Sequence, residues 1–240
     1  EIMPSLVGSE MCIRDRTCAS LSPDLVILPL KLKDAAKSLT ELGIPVLLVN
    51  PESPDQLSEM ISLIATATNT QDKAGQLLDF INQEKEMLTT SLATADDTPN
   101  IYLAGNSSLL STAGSAMYQS GIIELAGGKN VASDISDTYW TEISYEQLLS
   151  WDPDYIILAS DAEYTVDDVL SDPNLKDCTA VKNNHVYAIP GDIEALDSPV
   201  PASILASIWL AGILHPDQVS TDTYTKEMNS FYETFYGIKK

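Results

Sequence analysis

The sequence predicts an α/β protein of two lobes, each built on a parallel sheet flanked by helices. Three observations carry this. Short apolar runs alternate with helical patterns along most of the chain, the order that builds parallel sheets. A Pro-Asp pair followed by four apolar residues occurs twice, in LSPDLVIL (21–28) and WDPDYIIL (151–158). Between them lies a helical stretch of about 25 residues, a rod of about 37 Å, long enough to run along one whole lobe.

Each element follows from its local pattern. Residues 25–28 form a buried strand, 34–42 a helix ended by Gly43, and 45–49 a second strand. Residues 54–67 form a helix with Leu57, Met60, Ile61, Ile64 and Ala65 on one face. The long helix covers 70–95, with Thr70 as N-cap and Ala74, Leu77, Leu78, Ile81 and Leu88 apolar, and stops in the polar DDTPN. Beyond it 101–104, 155–158 and 186–189 are strands. Residues 117–126 are a helix closed by Gly127-Gly128, where a positive φ is needed. Two helices, 201–214 and 223–236, end the chain. In each Pro-Asp repeat the proline stops the preceding helix and the aspartate turns the chain into a buried strand. The expected domains are a first lobe over 17–69, a connecting helix over 70–97 and a second lobe over 98–240.

Composition excludes several classes. With 240 residues, 44% of them hydrophobic and 20% charged, the chain can bury a core and is neither disordered, collagenous nor a coiled coil. A formal charge of -22 repels nucleic-acid phosphates, so no nucleic-acid partner is expected. The longest apolar stretch, 204–214, is about half of a bilayer span. Both arginines, Arg14 and Arg16, fall in the opening EIMPSLVGSEMCIRDR, and residues 17–240 carry 11 lysines and no arginine. That opening has no charged n-region followed by an apolar stretch, so it is not a signal peptide. It resembles the read-through of a sequencing adapter, and residues 1–16 are read as non-native, the alternative being a native but disordered N-terminus. Without Cys12, there remain Cys18 and Cys178, which form neither a metal site nor a disulfide framework.

Catalytic patterns are poor. His185 enters a strand and His215 follows a helix end, both as structure. No GxSxG, P-loop, HExxH or strand-linked GxGxxG occurs. Asp167-Asp168 fits no calcium-loop spacing. Aromatics say more. Tyr139 and Trp140 stand in the polar loop SDTYWTEIS, with no periodicity to bury them; they either meet a ligand or lid their own lobe's core. Met117 and Tyr118, at a helix start after SLLSTAGSA, can face the same space.

Several segments carry a family resemblance. They are LSPDLVIL, LGIPVLLVN, the helix over 70–95, GSAMYQSGIIELAGGKNVA, WTEISYEQLLSWDPDYIIL, LKDCTAVKNNHVYAIP, and DSPVPASILASIWLAGILHP with the terminal FYETFYGI. In this order, over residues 19–237, they resemble the substrate-binding proteins of ABC importers for iron-siderophores, haem and cobalamin, the branch whose two α/β lobes are joined by one rigid helix. The resemblance implies a binding protein, not an enzyme, without cofactor, that hands a metal chelate (siderophore, haem or cobalamin) to an ABC permease with its ATPase. It implies an extracytoplasmic location, as a lipoprotein or a periplasmic protein, with the signal outside this chain. It also implies a docking carboxylate seven residues before each Pro-Asp pair. In the second lobe this is Glu146. In the first lobe the position is Arg16, so that lobe is expected to be incomplete, which leaves open whether the chain still binds.

By the same resemblance the ligand lies between the lobes, at loops following the strands: Asn106, Ser107, Met117, Tyr118, Tyr139, Trp140, Asp192 and Glu194. Anionic chelates usually need cationic contacts. The absence of arginine beyond residue 16 therefore favours a near-neutral ligand such as a corrinoid or a hydroxamate chelate. Two histidines argue against a bare zinc or manganese site. The rival class is a tetrapyrrole-processing enzyme such as a chelatase on a related two-lobed scaffold, which would need histidines or carboxylates converging in the cleft.

Overall fold

The structure is a computed structural model that describes residues 17–136 and 139–239. Residues 1–16, with Arg14, Arg16 and Cys12, lie outside the described residues, so the expectations placed on them have no structural counterpart. The elements run β1 (Val26–Pro29), α1 (Lys33–Glu41), β2 (Val46–Val49), α2 (Pro54–Thr68), α3 (Gln71–Leu92), β3 (Asn100–Ala104), β4 (Ser111–Ala113), α4 (Tyr118–Leu125) and β5 (Lys129–Asn130). They continue with β6 (Trp140–Glu142), α5 (Tyr145–Trp151), β7 (Tyr155–Leu158), α6 (Val166–Leu170), α7 (Thr179–Lys182), β8 (Val186–Ala188), α8 (Ile204–Leu214) and α9 (Thr221–Phe231). β1 and β2 form a two-stranded parallel sheet, and β5-β3-β7-β8 a four-stranded sheet that is parallel throughout.

The two Pro-Asp repeats have the same local cause. The residue before each proline takes a positive φ, 49° at Ser22 and 41° at Asp152, so the preceding helix ends left-handed and the chain leaves as a strand. After each repeat a strand pairs in parallel with the next long strand, Val26 against Val46 and Ile156 against Val186. α2 is bounded as sharply. Ser53 Oγ accepts from the Gln56 N–H, Pro54 holds the first position, and Asn69 closes it at φ 56°.

β3 and β7 read as continuous apolar runs because both faces of their sheet are dry. Ile101, Leu103 and Ile157 point to the side packed by α2, α3, α4, α8 and α9. Tyr102, Ala104, Ile156 and Leu158 point to the side packed by α5, α6 and α7. The β1–β2 sheet differs: Ile27 stays 41% exposed, and Leu30, Leu32 and Leu42 are exposed beside it. α3 spans 22 residues, about 33 Å, and its Ile81 and Leu88 join the large cluster. No described helix is long and apolar enough to cross a membrane.

Several boundaries differ from the sequence expectation. The long helix ends at Leu92, and Thr70 occupies the N-cap position without a side-chain capping bond; its hydroxyl pairs with that of Thr68 instead, at 2.9 Å. The helix over 201–214 opens with a 3₁₀ turn, Pro201–Ser203, and the last helix closes in a π-helical turn, Tyr232–Tyr236. Of the closing glycine pair, Gly127 alone takes a positive φ. Trp140 is in a strand, not a loop: β6 pairs antiparallel with β4, Trp140 opposite Ala113. Three-residue strands present too short a stretch for any period to be read.

One buried carboxylate sits where α3 meets α9. Phe80 of α3 packs on Phe231 of α9 with ring centroids 5.3 Å apart. Glu84, one turn further along α3, is buried. Burial, reinforced by the Glu227 charge and opposed by Lys226, raises its pKa from 4.5 to about 7. The folded state therefore holds a proton that the unfolded chain releases, so this contribution to stability is complete below pH 4.5 and is lost as pH rises through about 7. Glu84→Gln should flatten that dependence, and the wild-type unfolding midpoint should fall towards pH 8 while the variant's does not, as measured by thermal melts followed by circular dichroism.

Candidate functional site

A hollow of about 440 Å³ opens between the turn after β2 and the start of α4. One wall carries Glu52, Ser53, Pro54 and Asp55, the other Ser115, Met117, Ser120, Gly121 and Glu124, and Lys85 of α3 closes the back. The parts meet closely at one point. A Cβ on Gly121 would sit 2.8 Å from Pro54 Cδ, so only glycine permits this approach. Ser53, Pro54 and Gly121 thus set how near the first sheet's loop lies to the second lobe.

The α4 wall is held from behind. Asn130 Nδ2 donates to the Ala113 carbonyl and to Ser120 Oγ, at 2.8 and 2.7 Å, and Ser120 Oγ donates to the Gly114 carbonyl at 2.9 Å. The Ser115 N–H donates to the Ile135 carbonyl at 2.9 Å, and a Cβ on Gly114 would meet that same oxygen. Asn130, Ser120 and the Ser115 N–H thus tie residues 113–120 together through the Ala113, Gly114 and Ile135 carbonyls, which fixes this wall of the hollow.

The carboxyl end of β3 lies beside this wall. Trp140 covers Gly105, with Cζ3 2.9 Å from where a Cβ would stand, while Tyr164 Oη donates to the Gly105 carbonyl at 2.6 Å. The Glu163 N–H donates to the Asn106 carbonyl at 2.8 Å. Trp140 stays 39% and Tyr139 57% exposed. The indole is therefore at once a cover for the sheet end and an open aromatic face.

The expected site residues separate into groups. Met117 lines the hollow. Asn106 is half-buried and Ser107 exposed, at the β3 end with Tyr139 and Trp140. Tyr118 is turned away: it is 4% exposed within the large core, with Oη 2.6 Å from Ser203 Oγ, and burial raises its pKa. Tyr118 lies among Pro54, Leu57, Ile81 and Lys85, and Met117, the N-cap of α4, belongs to the same core cluster while also lining the hollow. Asp192 is exposed, and Glu194 accepts from Tyr232 Oη at 3.0 Å, so this loop leans on the π-helical turn after α9. Burial and the Glu194 carboxylate raise the Tyr232 pKa.

Sequence reasoning missed Glu52, Asp55, Lys85 and Glu124, and also Asp197. The last is 4% exposed and accepts from Ser160 Oγ at 2.5 Å, tying down the end of β7. Glu52 and Asp55 could have been found, since they follow a parallel strand, where ligands bind.

Glu146 is in the first turn of α5, whose N-cap Ser144 accepts from the Gln147 N–H. Its carboxylate is fully exposed, and hydrogen bonds from its own backbone N–H and the Ser144 hydroxyl hold its pKa below the usual range. Both histidines are at the opposite end of the four-stranded sheet. His185 stacks on Tyr155 at 4.5 Å with Nδ1 3.2 Å from the Asp154 carbonyl. His215 Nε2 lies 3.2 Å from the Gly127 carbonyl.

Residues 17–193 match the family model described as periplasmic binding protein. The chain belongs to this family. Among relatives of this periplasmic binding protein, the molybdate-binding protein MolA of Haemophilus influenzae is 25% identical over 97% of this chain and 72% of its own length. A vitamin B12-binding protein of Salmonella choleraesuis is 28% identical over 60% of this chain, which spans about half (54%) of that relative. A solved periplasmic solute binding protein from Veillonella parvula superposes with a TM-score of 0.81 at 27% identity, covering 94% of this chain and 69% of that one. Molybdate-bound MolA superposes at 0.82 with 24% identity, covering 94% and 76%, and shares the fold.

Gly121→Ala should act as a wedge against Pro54, costing about 1–3 kcal/mol through overpacking. Chemical denaturation should show the loss, and Gly75→Ala, where a Cβ meets nothing within 4 Å, should show none.

Proposed function

We propose that this chain is an extracytoplasmic solute-binding protein that delivers an iron complex (siderophore or haem) or a corrinoid to an ABC importer. The observation that carries the reading is the hollow of about 440 Å³ walled by the turn after β2 and by α4, with α3 closing the back. Its size falls among small-molecule sites, and the open faces of Tyr139 and Trp140 suit the apolar shell of a chelate.

Two features favour a carrier over a tetrapyrrole-processing enzyme. No group of three or more His, Cys, Asp or Glu able to hold a metal is found among the described residues. Both histidines are committed to the amino end of the sheet, opposite the hollow. A chelatase would have to bring such groups to the hollow itself.

Glu146 is the proposed docking carboxylate. It is exposed, its charge is stabilised by two hydrogen bonds, and it stands at the start of α5 rather than in the hollow. An arginine of a permease would find it ionised at any physiological pH. The partner's location and any lipid anchor belong to the same proposal.

Titration with cyanocobalamin, haem and a ferric trihydroxamate, followed by tryptophan quenching, should give saturable binding of at least one; silence to all three would overturn the reading. Glu146→Ala should weaken stimulation of ATP hydrolysis by the reconstituted importer and leave ligand affinity unchanged. Loss of ligand affinity instead would remove Glu146 from the docking role.

A further inference from the structure

The charges on the walls of the hollow point to a ligand class. Glu52 and Asp55 come from the turn before α2, Glu124 from α4 on the facing wall, and Lys85 from α3 is the one cation among the lining residues. That lysine is already engaged: its Nζ is 3.1 Å from Asp55 Oδ1, and its side chain is 22% exposed. Glu52 and Glu124 are left without a cationic partner among the described ion pairs.

One feature opposes them. The first turn of α4 borders the hollow, and its N-cap Met117 supplies no side-chain acceptor, so the helix end offers about half a positive charge to an anion. Two uncompensated carboxylates outweigh half a charge. No arginine is among the lining residues. An oxyanion entering here would meet a carboxylate on each wall, whereas a cation would be attracted to both.

We propose that the hollow selects a metal chelate of net positive charge and rejects oxyanions. The inference rests on the proposed binding function and narrows it: the site is the walled cavity, and Glu52 and Glu124 set its charge preference. The molybdate that names one relative would not be a ligand of this chain. Attraction across a solvent-filled hollow is screened by salt, so the preference should weaken as ionic strength rises.

Three probes separate the outcomes: a ferric trihydroxamate bearing one protonated amine, the same chelate with that amine acetylated, and molybdate. Calorimetry and tryptophan fluorescence on the full chain should show the amine form binding at least about tenfold tighter than the acetylated form, and no binding of molybdate. In the Glu52→Gln/Glu124→Gln double variant, with its cooperative unfolding retained, the ratio should fall below about threefold. Equal affinity for the two chelates, saturable molybdate binding, or an unchanged ratio in the double variant would overturn the charge preference while leaving the binding function standing. No response to either chelate would overturn the charge preference, and silence to cyanocobalamin and haem as well would overturn the binding function.

Discussion

The α4 wall of the hollow packs on the four-stranded sheet, whose central strands β3 and β7 are enclosed on both faces. Ile101, Leu103 and Ile157 on one side, and Tyr102, Ile156 and Leu158 on the other, are at most 1% exposed. Each such side chain contributes about 1.5–3 kcal/mol of burial before entropy is subtracted. A sheet so enclosed leaves its strand ends with one defined geometry. Gly105 under Trp140 and Ser160 against Asp197 are where that geometry is passed to the loops.

The acid surplus has two separate physical meanings. Many carboxylates are structural acceptors: Asp154 takes the Asn100 N–H, Asp152 takes the Thr179 N–H and hydroxyl, and Asp168 completes a capping box with Thr165. These bind the amino ends of strands and helices, where partial positive charge is exposed. Glu52 and Glu124 have no such task and face the hollow. Net charge alone does not distinguish the two groups; the partner of each oxygen does.

Much of the fold was legible because parallel strands buried on both faces carry continuous apolar runs, and because helix ends carry their signals locally. The Pro-Asp echo reflects a real local repeat, a left-handed residue followed by a strand, at Ser22 and Asp152. β4 and β6 were not legible, since three residues have no period and their pairing joins positions some 30 apart in the chain. The site was legible in part. Met117 lines the hollow and Trp140 lies beside it at the end of β3, but Tyr118, adjacent to Met117 in sequence, is enclosed in the core with its hydroxyl on Ser203, a partner 85 residues away that local pattern does not reveal.

The sequence by itself determined most of the elements, their alternation and the parallel sheet, since each depends on local pattern. Only the tertiary structure decided that Glu52 of one loop lines the same hollow as Glu124 of a helix more than 70 residues away, that Lys85 is already paired, and that both histidines lie at the far end of the sheet. Those facts depend on which surfaces meet when the β2 turn closes on α4 at Pro54 and Gly121, and no periodicity or spacing along the chain encodes that contact.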